Sequence, residues 1–137
     1  MKKALGLIFL FSFFLVATSY AETPDLTGTW KGKGMAMLPG GMVVDGVILT
    51  VKFTDQVGGL LHATFTIKVP GMGKTTLSGT GFVGPDGKLR VIWNYEGQVV
   101  GMAEAWVDTS PAKWTMEGFG LDFSDGSTTH IKLTKKK

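Results

Sequence analysis

The sequence predicts an all-β fold: an antiparallel up-and-down β-barrel of about eight strands. Two observations carry that expectation. Apolar and polar residues alternate with period two in segment after segment, and Gly, Pro and Asp clusters punctuate the chain at short, even intervals. Strands with one oily face, joined by tight turns, describe sequential hairpins built around a shared core.

Residues 1–21 precede that pattern and differ from it. Lys2 and Lys3 are followed by a run from Ala4 to Val16 that is apolar apart from Gly6 and Ser12, and Ser19 and Ala21 supply small residues at its end. This is the charged, apolar, small-residue order of a secretory signal peptide, with cleavage expected after Ala21. The apolar run is shorter than the ~20 residues that span a bilayer. The expected product is one domain, residues 22–137, periplasmic or secreted and without stable membrane insertion.

Loss of Lys2 and Lys3 with the leader lowers the net charge from +3 to +1, too small an excess to favour nucleic acid as a partner. The chain has no cysteine, so neither disulfides nor a lipidated thiol can hold it. A domain of this size must then be stabilised by packing and sheet closure alone. Lys135, Lys136 and Lys137 read as a solvated tail.

Strands are expected at residues 26–35, 43–54, 60–69, 75–83, 88–96, 99–108, 113–119 and 128–134. In the third, Leu61, Ala63, Phe65, Ile67 and Val69 share one face and His62, Thr64, Thr66 and Lys68 the other. The second sets Val47, Leu49, Val51 and Phe53 against Thr50, Lys52 and Thr54, and the fifth sets Leu89, Val91, Trp93 and Tyr95 against Arg90, Asn94 and Glu96. One open sheet of such strands would leave its apolar face uncovered, because no helix follows to pack on it. Closure into a barrel removes both that face and the edges from water. A β-sandwich is the alternative solution, while a membrane barrel would require a lipid-facing apolar band that the Lys, Thr and Ser faces do not supply.

The first strand opens with Asp25-Leu26-Thr27-Gly28-Thr29-Trp30. This resembles the Gly-x-Trp start of lipocalins and avidins, whose barrels have eight up-and-down strands. The resemblance implies a sharp bend at Gly28 and a Trp30 that closes one end of the interior. The late arginine that packs on that Trp in lipocalins has no counterpart, since Arg90 is the only arginine and lies on an outward face. The polar residues that bond biotin in avidins are replaced by Gly32 and, approximately, Ala36, so biotin is not expected.

Chemistry-bearing patterns are scarce. Gly71-Met72-Gly73-Lys74-Thr75 imitates the end of a phosphate loop, but Lys68 stands where its first glycine belongs and a strand follows instead of a helix. His62 and His130 fall on polar faces, no metal spacing occurs, and no catalytic residue or cofactor is assigned. Alternation places Trp30, Trp93, Tyr95 and Trp114 inside, either as core or as the walls of a pocket. Asp45, in phase with Val47 and Leu49, would add polarity near a mouth.

The sixth strand offers two arrangements. One face carries Val99, Gly101, Ala103, Ala105 and Val107, and the other Val100, Met102, Glu104 and Trp106. The first is too small to fill a core, which favours Glu104 and Trp106 inside, with the Glu104 pKa raised by burial. Met35, Met37 and Met42 flank a Gly/Pro turn and fit an apolar lid better than a Cu(I) site. Together these residues favour an exported protein that binds a small apolar ligand, with Trp93, Tyr95, Glu104, Trp106, Trp114 and Asp45 as pocket residues. A filled barrel that contacts other proteins, as an inhibitor or envelope assembly factor, is the second expectation. An isomerase-type enzyme using Glu104 or Asp45 beside Tyr95 is the third.

Overall fold

The computed structural model describes residues 22–137; the leader expected at residues 1–21 lies outside the described residues. Eight strands follow in chain order: β1 (Gly28–Met37), β2 (Val43–Val57), β3 (Leu60–Val69), β4 (Gly73–Val83), β5 (Lys88–Tyr95), β6 (Gln98–Asp108), β7 (Thr115–Asp122) and β8 (Thr128–Lys135). Each pairs antiparallel with the next, and β8 returns to pair with β1, so the sheet closes into an up-and-down barrel. The sandwich alternative does not form, and there is no helix among the described residues.

Period-two alternation becomes inside and outside. On β3, Leu61, Ala63 and Phe65 are buried while His62 is exposed. On β5, Leu89, Val91 and Trp93 are buried, and on β8 Ile131 and Leu133. The β5–β6 hairpin turns on Glu96 (φ 50) and Gly97 (φ 80), the paired left-handed conformations whose twist matches that of the flanking strands.

Closure brings β1 and β8 unusually close. Gly32 pairs with Leu133 and Gly34 with Ile131, and a Cβ on either glycine would overlap the backbone carbonyl of Lys132 or His130. Only glycine lets these two strands meet.

Three extra residues break the alternation: Gly46 and Thr54 in β2 and Val100 in β6. Gly34 pairs with Val47 but Met35 with Asp45, which leaves Gly46 (φ 78) as a bulge in β2. Trp93 pairs with Gly101 but Asn94 with Val99, which leaves Val100 as a bulge in β6. A bulge shifts the inside-outside phase of everything beyond it.

The two ends of the barrel differ. Gly28 (φ 114) bends the chain sharply, so the preceding segment folds under the barrel instead of extending β1 back to residue 26. Leu26 and Trp30 are fully buried there. The Trp30 indole Nε1 donates to the Leu26 carbonyl at 2.9 Å, and Gln56 takes the Leu26 N–H on its Oε1 at 2.8 Å while its Nε2 donates to the Pro24 carbonyl at 2.8 Å. Lys135 donates to the Asp25 carbonyl at 2.9 Å and lies 5.8 Å from the Trp30 ring centre and 4.6 Å from that of Trp114. This end is a hydrogen-bonded floor. The turns at the opposite end leave a mouth.

Trp30→Ala removes the largest buried side chain together with its hydrogen bond to Leu26, and should cost about 3–5 kcal/mol. That is a large share of the ~5–15 kcal/mol available to a native domain. Trp106, 46% exposed, serves as the comparison, and Trp106→Ala should cost far less. Urea unfolding of the two variants checks the order; equal midpoints would mean that the floor does not hold the barrel together.

Candidate functional site

The inward faces enclose a cavity of about 600 Å³ that opens at the mouth. This volume falls within the ~300–1,000 Å³ usual for small-molecule sites. Leu49, Val51, Phe53, Phe65 and Ile67 of β2 and β3 form one wall; Leu89, Val91 and Trp93 of β5 and Ala103 and Ala105 of β6 form another. Leu38, Met72 and Tyr95 stand at the rim.

The space exists because β6 and β7 contribute so little side chain. Gly101, Ala103, Ala105, Gly118 and Gly120 occupy consecutive inward positions on the two strands. The Trp93 indole lies in the gap they leave: a Cβ on Gly101 would overlap its ring, and one on Gly120 would sit 3.1 Å from it. Trp93 is thereby flattened against the wall, with its ring centre 6.2 Å from that of Phe65. Its Nε1 is buried without a hydrogen-bond acceptor. Buried donors are seldom left so.

Polarity gathers at one side of the mouth. Asp122, Ser124, Asp125, Ser127 and Thr129, all from the β7–β8 hairpin, line the opening. Asp122 Oδ1 accepts from the Ser124 N–H at 2.8 Å, and Asp125 Oδ1 from the Ser127 N–H at 2.8 Å. The backbone N–H of Ser127, with its hydroxyl, holds the Asp125 carboxyl below its ordinary range. Nothing in the pattern of the earlier strands marks this hairpin. The available signal was the Asp-x-Ser-Asp-x-Ser spacing of Asp122, Ser124, Asp125 and Ser127, each Asp capping the residue two positions on.

Of the residues expected to line a pocket, Trp93 lines the cavity and Tyr95 its rim. Trp114 does not reach it. That side chain is half-buried at the closed end beneath Lys135, because β7 begins at Thr115 and not at residue 113. Asp45 is exposed on the outer surface, since the bulge at Gly46 reverses the phase beyond Val47 and turns Val44 inward in its place.

Glu104 and Trp106 also face outward, the reverse of the arrangement expected for β6. The small face can point inward because Trp93 from β5 fills its gaps, something the sequence of β6 alone does not reveal. Glu104 accepts from Lys88 Nζ at 2.9 Å and from Arg90 Nε at 3.0 Å. The Lys88 hydrogen bond, with the charges of Lys88 and Arg90, moves its carboxyl below the usual range instead of above it. An isomerase-type site built on Asp45 or Glu104 therefore has neither carboxylate in the cavity.

Met35 and Met37 are exposed on the outer face of β1, and Met42 is exposed in the turn that follows. The lid expected from the three does not form; Leu38 and Met72 stand at the rim instead. Met35 and Met37 border an apolar groove on the outer wall with Val43, Met102, Leu121 and His130. Phe119 stacks on His130 at 4.5 Å, and His130 Nε2 lies 2.8 Å from Glu117 Oε1. Neither histidine faces the cavity: His62 is exposed, with Nδ1 3.2 Å from Thr54 Oγ1.

No protein-family model matches this sequence, and a search of curated proteins finds no relative.

The outer-wall ion pairs set a pH dependence. Asp86 is held at about 2 by the Arg90 guanidinium, Glu104 is lowered by Lys88, and Glu117 by hydrogen bonds from His130 and Lys132. Carboxyls lowered in the folded state stabilise it above their unfolded pKa of about 4, and that contribution disappears as the pH falls through the folded values. The melting temperature should therefore hold down to about pH 5 and decline toward pH 2, less steeply in Glu104→Gln and at high salt. A melting temperature that rises on acidification would contradict these pairings.

Proposed function

We propose that the protein is an exported carrier or receptor for a small, largely apolar ligand held inside the barrel. The observation that carries this reading is the open apolar cavity whose volume is kept by the inward glycines and alanines of β6 and β7. An unfilled apolar space forfeits dispersion contacts along its lining, and a bound apolar molecule restores them. The charged-apolar-small order of residues 1–21 supports export. Gly28-Thr29-Trp30 and the closed eight-stranded order support the likeness to lipocalin- and avidin-type barrels.

A protein-contacting role has a separate observation in its favour. Ile92, Met102, Trp106, Phe119 and Leu121 are large apolar side chains exposed on the outer surface of β5, β6 and β7. Exposed apolar patches of this kind are common at protein contacts. Site-specific crosslinking from position 102 in the native compartment tests it; no adduct from that position would remove the reading.

The ligand reading is tested with N-phenyl-1-naphthylamine, an uncharged apolar dye, by energy transfer from Trp93. Leu49 and Ile67 are cross-strand neighbours on the cavity wall, both only half-buried. The double variant Leu49→Phe/Ile67→Phe should fill the lumen, weaken dye binding at least about tenfold and leave thermal stability equal or higher, as cavity filling does elsewhere. Wild-type protein that gives no saturable transfer, or a filled variant that binds as tightly as wild type, would rule the cavity out as the binding site.

A further inference from the structure

Given the ligand reading above, on which this rests, we infer that the ligand is an amphiphile whose polar end is a neutral or cationic hydrogen-bond donor, an alcohol or an amine, and not a carboxylate or phosphate.

The argument begins with the distribution of polar groups. The cavity is apolar from the floor to the rim, so a polar group carried by the ligand is satisfied only at the mouth. There the charged side chains come from one hairpin, while β4 and β5 add the uncharged hydroxyls of Thr75 and Tyr95. Among the described residues that line the cavity, Asp122 and Asp125 are the only charged ones; no Lys, Arg or His joins them. Lys68 and Lys74 pair across the β3–β4 hairpin, but both are exposed and neither lines the opening.

Each aspartate is partly committed to its own turn. Oδ1 of Asp122 takes both the N–H and the hydroxyl of Ser124, and Oδ1 of Asp125 takes the Ser127 N–H, which leaves each carboxylate with acceptor capacity to spare. An ionised carboxylate accepts hydrogen bonds and donates none. Two such acceptors at the mouth match a head that donates, and a cationic head gains a charge-assisted bond as well. An anionic head would meet like charge with no cation to offset it, which is a device for rejecting a wrong ligand as much as for holding the right one.

Three probes of equal length separate the possibilities: decylamine, decanol and decanoate, each titrated at neutral pH below its aggregation threshold and followed by the change in tryptophan fluorescence, to which Trp93 on the cavity wall contributes. Decylamine and decanol should bind, and decanoate should bind at least about tenfold more weakly than decylamine. In Asp122→Asn/Asp125→Asn the amide oxygen can still accept the turn hydrogen bonds, so the hairpin is kept while the charge is lost. The difference between amine and carboxylate should then close. Added salt should narrow it in wild-type protein too, a readout that does not depend on the variant folding. Decanoate binding as tightly as decylamine, or a preference unchanged by both the variant and salt, overturns the head-group inference alone. Silence from all three probes overturns the pocket reading beneath it.

Discussion

The pairing of β8 with β1 is the interaction on which the rest of the molecule depends. The chain has no cysteine and its described residues contain no helix, so a sheet with one apolar face has only itself to cover that face. Closing the sheet converts the face into an interior and removes both edges in one step. The cost is steric, because the two strands approach more closely at Gly32 and Gly34 than any side chain permits. Those glycines lie on the inward face, between Trp30 and Ala36, so the same absence of side chain that closes the barrel also thins its lining.

Closure fixes where volume can be lost and where it cannot. At the floor, Leu26, Trp30 and Leu89 are almost wholly excluded from solvent, and the segment before Gly28 seals them by hydrogen bonds to Gln56 and Lys135. Halfway up, the lining of β6 and β7 shrinks to glycine and alanine. An isolated strand with such a face would be a poor core element. Beside β5 it becomes a seat for Trp93, and the indole lies along the wall instead of across the lumen. The barrel thus has a packed end and a hollow one, and the difference comes from residue size on two adjacent strands.

The fold was legible in the sequence because period-two alternation depends only on neighbours two positions apart. All eight strands fall where alternation places them, within a few residues at the ends. The candidate site was less legible because its key facts are not local. Whether Glu104 faces in or out depends on Trp93 filling the gaps of β6 and on Lys88 and Arg90 waiting outside, and both come from a different strand. Asp45 shares the phase of Val47 in the sequence, yet one bulged glycine between them turns it outward. Gly46 was in plain view, but a glycine inside a strand signals a bulge only once its partner register is known. The acidic hairpin at the mouth carries no alternation, and only the closed geometry turns its side chains toward a common opening.

Alternation has a further consequence for function. Because successive side chains leave a strand on opposite sides, the lumen and the outer wall are composed of different residues of the same strands. On β6, Ala103 and Ala105 border the cavity while Met102 and Trp106 lie outside; on β8, Ile131 and Leu133 face inward while His130 pairs with Glu117 on the outer wall. The two surfaces can therefore change independently, each by substitutions at every second position. A ligand pocket and an apolar outer belt do not compete for the same side chains in this barrel, and evidence for one is not evidence against the other. What links them is the backbone between, where a bulge such as Val100 exchanges inside for outside in a single residue. That makes the bulges, more than any single lining residue, the positions at which this architecture decides what its cavity contains.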